Sequence, residues 1–147
     1  MREPKPITLR DIEQNSIYMQ TALLHASLSK SKRKSVGACL VTSTGTIIPS
    51  WNGTPQGTDN NCENLLEDGT LVTKGEVIHA ELGCVLKCAK EGINTTGATV
   101  YISLSPCLQC SAMLLQAGVK QVYYREQYRD TSGIEYLNRN GVQVIQM

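Results

Sequence analysis

Two short stretches, far apart in the chain, place the tightest demand on any fold it could adopt: His79-Ala80-Glu81 and Pro106-Cys107-Leu108-Gln109-Cys110. Cys107 and Cys110 stand three apart at a predicted helix start, so their sulfurs share one helical face. Pro106 has no N–H to satisfy and suits the entry to that helix. The positive end of the helix dipole favours negative charge and helps both sulfurs ionise. His79 supplies a third donor from the start of another predicted helix. Two thiolates and a neutral imidazole balance the charge of Zn²⁺. Three protein donors leave a tetrahedral ion with one open position, the mark of a catalytic site. Glu81, two residues past His79, falls beside that position, where it can exchange protons with an activated water.

A Cys-x-x-Cys pair alone also fits half of a structural zinc site or a redox pair. A structural site needs a fourth donor. The chain holds only two histidines, His25 and His79, so that donor would come from Cys39, Cys62, Cys84 or Cys88. Cys39 lies within a predicted strand, and Cys84 and Cys88 lie on the His79 helix; all three read as small apolar core groups. No thioredoxin-like context supports a redox pair. The ordered path of His-x-Glu, strand and Pro-Cys-x-x-Cys is far more specific, and it is the signature of zinc deaminases.

The surrounding pattern alternates helices and strands. Thr8 to about Lys30 reads as a helix, with Thr8 and Asp11 at capping-box spacing and an apolar stripe of Ile12, Met19, Leu23, Ala26 and Leu28. Val36 to Thr42 and Thr46 to Trp51 read as a hairpin, with Pro49 pointing to an edge strand. Residues 53 to 75 read as a long polar loop, a length that is usually functional. His79 to Lys90 reads as a helix with Leu82, Val85, Leu86 and Ala89 inward. A strand follows at 98–103, then a helix at 107–117, a strand at 121–124, a short helix capped by Ser132 and Glu135, and a strand at 142–145. This order implies a layered sheet with helices on both faces. No linker or repeat divides the chain, so residues 1–147 are expected to form a single domain.

Composition narrows the function. The 147 residues are 41% hydrophobic, too apolar for a disordered chain and enough for a core. A net charge of +1 argues against a long nucleic-acid partner. No apolar run approaches the roughly 18 residues of a membrane span. Met1 to Pro6 carries no apolar leader, so a cytoplasmic location is expected, with the six cysteines reduced rather than paired.

His79-Ala80-Glu81, the strand Ala98-Thr99-Val100-Tyr101-Ile102-Ser103, and Ser105 through Cys110 together resemble the cytidine and deoxycytidylate deaminase superfamily. Val36-Gly37-Ala38 and Trp51-Asn52-Gly53-Thr54-Pro55 narrow the resemblance to the deoxycytidylate (dCMP) deaminases, as does Val122-Tyr123-Tyr124 with Tyr128 and Asp130. The resemblance covers about residues 8 to 147. It implies a three-layer α/β/α sandwich with a five-stranded mixed sheet, a bound zinc, and hydrolysis of dCMP to dUMP and ammonia. It further implies that Glu81 is catalytic and that His79, Cys107 and Cys110 hold the metal. The backbone at Ala80 and the Ser105 carbonyl would hold the base, Asn52 the sugar or base, and Arg33 and Tyr124 the phosphate end. A homo-oligomer, commonly a hexamer, with activation by dCTP and inhibition by dTTP belongs to the same implication. The sequence departs from the family at Ser50, where glycine is usual. Residues 53–78 offer only Cys62, so no second zinc is expected there. Trp51 is expected in a pocket wall or the core. The rival readings are another zinc deaminase, acting on tRNA adenosine, guanine or free cytidine, and a zinc-stabilised binding module without catalysis.

Overall fold

The first helix starts at a reciprocal cap. The Asp11 N–H donates to Thr8 Oγ1 while the Thr8 N–H donates to Asp11 Oδ2, fixing the start of α1 (Leu9–Ala26). The structure, a computed structural model, describes residues 5–147. The first four positions of the stretch read as lacking an apolar leader therefore lie outside the described residues. Among the described residues, no helix is long and apolar enough to cross a membrane.

After α1 the chain enters β1 (Gly37–Val41), which is buried at every position. β1 pairs antiparallel with β2 (Ile47–Trp51) on one side and with β5 (Thr99–Leu104) on the other. β6 (Gln121–Glu126) and β7 (Gln143–Gln146) add in parallel, completing a mixed five-stranded sheet in the order β2-β1-β5-β6-β7. Pro49 lies on β2, at the sheet edge, where its missing N–H costs no ladder bond. The helices α2 (Ala80–Glu91), α3 (Leu108–Gln116) and α4 (Ser132–Arg139) complete the fold.

The period-two alternation of the central strands divides the core into two layers. Ala38, Leu40, Val100, Ile102 and Val122 pack with Ala80, Cys84, Cys88, Leu114 and Leu137 of α2, α3 and α4. Cys39, Val41, Tyr101 and Tyr123 face the other way and pack with Met19 and Ala22 of α1. The expected α/β/α sandwich is therefore present, with one helix on one face and three on the other.

Three local expectations are corrected. Helix α1 ends at Ala26, short of Lys30, and buries Met19 and Ala22 while Ile12, Leu23 and Leu28 stay exposed. Its sheet-facing stripe includes a polar residue, Asn15, which donates to the Tyr123 hydroxyl and accepts from the Tyr101 hydroxyl. Helix α2 buries the small residues Ala80, Cys84 and Cys88, and leaves Leu86 exposed. Small side chains let the helix lie close to the sheet, so volume rather than hydropathy selects the inward face. The cap of helix α4 lies one residue earlier than expected: Thr131 is the cap residue, and Ser132 already lies in the helix.

The polar stretch read as a loop also holds structure. β3 (Glu63–Leu65) and β4 (Leu71–Thr73) form a separate two-stranded sheet, in which Glu63 pairs with Thr73. Its turn uses Gly69 at φ 86°, a left-handed conformation that glycine adopts without a Cβ clash.

At Gly37 the sheet approaches α1 closely. A Cβ there would overlap the Ala22 carbonyl oxygen and the Ala26 nitrogen, both backbone atoms that cannot swing aside. Gly37→Ala should therefore lower stability by about 3 kcal/mol in urea unfolding. Gly75→Ala adds a Cβ with nothing within 4 Å and should stay within about 0.5 kcal/mol of the parent. Equal midpoints for the two variants would contradict this account of the α1 contact.

Candidate active site

Two helix N-termini meet over the end of β5. That strand delivers the chain into Ser105 and Pro106, both buried, and then into Cys107, the N-cap residue of α3. The Cys107 sulfur accepts from the Cys110 N–H at 3.5 Å, so the cap itself sets the spacing of the two cysteines. His79 is the N-cap residue of α2, in extended backbone (φ −66°, ψ 150°), and its ring makes no cap bond to the helix. Glu81 follows in the first turn of α2 and is buried. Gly133 lets α4 pack beneath this point, because a Cβ there would overlap the Pro106 carbonyl oxygen.

His79 Nδ1 lies 3.7 Å from Cys107 Sγ and 3.2 Å from Cys110 Sγ, and all the candidate ligand atoms fall within 4.8 Å of one another. Zinc bonds of about 2.3 Å to sulfur and 2.0 Å to nitrogen put tetrahedral ligand atoms roughly 3.5–3.8 Å apart. The donor set, two sulfurs and one imidazole nitrogen, also suits zinc. Among the described residues the metal-competent cluster contains these three and no fourth. Cys39, Cys84 and Cys88 are buried in the core, as expected, and burial pushes the Cys39 thiol up to about 12.

The electrostatics of the cluster already separate its protons. Cys107 is drawn down to about 4, first by its hydrogen bond with Cys110 and then by that with His79. Cys110 is pushed upward, first by the same contact with Cys107 and then by burial. His79 is raised, chiefly by its hydrogen bond to Cys107. Glu81 is raised, first of all by burial. A buried carboxyl next to a sulfur-rich cluster can both take and return a proton.

Beside the cluster opens a cavity of about 560 Å³, lined by His79, Ala80, Glu81, Ser105 and Cys107. The same cavity is lined by Ser31, Arg33, Lys34, Thr73, Tyr128 and Arg129. Lys34 is ion-paired with Glu126 at 2.7 Å. Among the described residues neither arginine has an ion-pair partner, so they form the uncompensated charge of the cavity.

The residues singled out in the sequence fall into three groups. Glu81, His79, Cys107, Ala80, Ser105 and Arg33 all line the cavity, while Cys110 is buried off its wall and joins the cluster through His79. Asn52 reaches it too, but its amide is largely engaged in the fold: Oδ1 accepts from the Val36 N–H at 2.9 Å and Nδ2 donates to the Lys34 carbonyl at 2.9 Å. Tyr124 does not line the cavity; it is buried, and its hydroxyl donates to Gln127 Oε1 at 3.4 Å. Tyr128 lines it instead, with its N–H donating to Ser105 Oγ at 2.7 Å. Trp51 is in neither pocket wall nor core. It is half-exposed at the sheet edge, stacked on His25 with the Lys87 ammonium over its ring. Sequence reasoning missed Arg129 as a cavity cation. The available signal was its place directly after Tyr128, within the stretch that carries the family resemblance.

Residues 12–126 match the cytidine and deoxycytidylate deaminase zinc-binding region. ComE operon protein 2 of Bacillus subtilis is 37% identical over 122 residues, which make up 80% of this chain and 62% of that protein. The chain thus spans under two thirds of that relative's length. Human deoxycytidylate deaminase is 32% identical over 125 residues, 82% of this chain and 69% of that protein. The crystal structure of the dCMP deaminase from the cyanophage S-TIM5, in complex with dCMP and dUMP, matches with a TM-score of 0.83 at 44% identity, covering 99% of this chain and all of that one. The family match runs through both helix starts that carry the His and Cys cluster, and the chain belongs to the cytidine and deoxycytidylate deaminase zinc-binding family.

Proposed function

We propose that the chain is a zinc-dependent deaminase that converts dCMP and water into dUMP and ammonia. One observation carries the reading: a buried carboxyl, two donors of the three-donor metal cluster and two arginines without an ion-pair partner among the described residues line one cavity. The S-TIM5 enzyme's complex with dCMP and dUMP supports the choice of nucleotide.

His79, Cys107 and Cys110 would hold the zinc. When bound, zinc supplies Lewis acidity that brings the pKa of a water ligand toward neutrality. Glu81 takes a proton from the attacking water as its oxygen joins C4 of the cytosine, and passes that proton to N3. A tetrahedral adduct forms at C4. Glu81 then carries the remaining hydroxyl proton to the exocyclic nitrogen, the C4–N bond breaks, and ammonia leaves. Ser105 spends its N–H on the Glu126 carbonyl and its hydroxyl on the Tyr128 N–H, which leaves its carbonyl for the base amine. The Ala80 backbone meets the base from the opposite helix start. Asn52 keeps one amide hydrogen for a sugar oxygen. Arg33 and Arg129 bind the phosphate, a role suited to planar, permanently charged guanidinium groups.

The proposal extends to one deaminase domain over residues 1–147, working in the cytoplasm as a homo-oligomer. A hexamer regulated by dCTP and dTTP is the form implied by the family resemblance. The exposed Ile12, Ile17 and Leu24 on α1 support burial of that helix against another copy.

Glu81→Gln should retain stoichiometric zinc by metal analysis and lose about 10²–10⁴-fold in kcat. Retained turnover would remove Glu81 from the chemistry. Cys107→Ala should lose both metal and activity, since two remaining donors hold the ion poorly. Wild-type protein should turn over dCMP far better than deoxycytidine. Arg33→Ala and Arg129→Ala should each raise KM for dCMP by about 10- to 100-fold while leaving deoxycytidine kinetics unchanged. Equal use of nucleotide and nucleoside by the wild type would reject the phosphate assignment.

A further inference from the structure

The β3–β4 hairpin places a carboxylate where a folded chain rarely keeps one. Glu63 is 4% exposed, and among the described residues no cation is ion-paired with it. A buried carboxylate persists only when hydrogen bonds replace its water. Here one oxygen, Oε1, takes three donors: the Ser31 hydroxyl at 2.9 Å, the Lys32 N–H at 2.8 Å and the Arg33 N–H at 3.2 Å. All three come from the segment that links α1 to β1, more than one helix length earlier in the chain. Burial alone would raise this carboxyl, but the donations from Arg33, Ser31 and Lys32 outweigh it and hold it below the ordinary glutamate range. It is thus ionised at neutral pH, and a charged acceptor binds N–H groups about twice as strongly as a neutral one.

The strand partner of Glu63 works on the same segment. Glu63 and Thr73 face each other across the hairpin, so their side chains lie on one face. Arg33 donates from its guanidinium to Thr73 Oγ1 at 3.0 Å. One cross-strand pair therefore grips Arg33 twice, Glu63 by its backbone N–H and Thr73 by its side chain. Ser31, Arg33 and Thr73 all line the cavity, whereas Glu63 does not.

We propose that Glu63 is a positioning residue for phosphate recognition, acting through the Ser31–Arg33 segment to present the Arg33 guanidinium to the cavity. This rests on the reading of Arg33 as a ligand of the nucleotide phosphate. It also gives a purpose to the polar stretch between β2 and α2, whose hairpin clamps the arginine-bearing segment.

The test compares kcat/KM for dCMP with kcat/KM for deoxycytidine in the zinc-loaded protein. Glu63→Ala should lower the nucleotide-to-nucleoside ratio by about 10- to 100-fold through KM for dCMP, with deoxycytidine turnover and zinc content as in wild type. Glu63→Gln keeps the shape and an acceptor oxygen, and should lower the ratio by about 3- to 10-fold. Thr73→Val should lower it in the same sense. In an Arg33→Ala background, adding Glu63→Ala should change the ratio by less than about twofold. Equal loss on both substrates, or an undiminished effect without Arg33, would overturn the proposal by making Glu63 a general structural prop. If the alanine variant does not fold, the glutamine variant decides by the same ratio. A wild type that treats dCMP and deoxycytidine alike fails the phosphate reading itself, and is seen before any Glu63 variant is made.

Discussion

A metal cluster assembled from helix caps is only as accurate as the capping. His79 and Cys107 are both N-cap residues, held in extended backbone just before a helix begins. Their positions are therefore fixed by where α2 and α3 start, and those starts are fixed by the sheet beneath. β5 ends in the buried Ser105-Pro106 step, and Pro106 is pressed by α4 through the absent side chain of Gly133. The helix termini also supply the electrical environment, since unpaired N–H groups at both ends favour anionic sulfur. Everything else at the site inherits this geometry: Glu81 sits in the first turn of α2, and the Ala80 and Ser105 backbones flank the same convergence. In an open α/β sheet, the crevice beyond the carboxyl ends of parallel strands is where ligands bind, and the end of β5 puts the cluster there.

The legibility of this chain tracks how local each signal is. The cysteine pair, Pro106, His79 and Glu81 are governed by spacing within one or two turns, and those residues are found together as expected. Element order was legible for the same reason, because caps, glycine stops and apolar runs are short-range. The inward faces of α1 and α2 were not. They are set by how closely a helix approaches the sheet, which selects Ala80, Cys84 and Cys88 over the larger Leu86. Asn15 sits half-buried against the sheet because two tyrosine hydroxyls on another layer satisfy it, a fact invisible along the chain.

The hairpin and its charges show a second kind of blindness. Strands of three residues are too short for alternation to register. The Asp68-Gly69 turn between Leu65-Leu66 and Leu71-Val72 was the one cue available. Glu63 and Arg129 were hidden more thoroughly. In sequence each is a charge in a polar stretch, indistinguishable from a solvated residue, and only their partners or neighbours in space give them meaning. Asn52 illustrates the converse: a residue picked out by resemblance as a ligand spends most of its hydrogen-bonding capacity on the backbone at Lys34 and Val36.

The two-stranded sheet shares no ladder with the five-stranded one. It is attached through an isolated bridge between Gly53 and Ile78, through the hydrogen bonds at Glu63 and through that between Arg33 and Thr73. A module joined so lightly can be lengthened, shortened or exchanged while the scaffold that holds the cysteines stays intact. Descendants of this chain could in that way acquire new tastes in what they grip without relearning the reaction they perform.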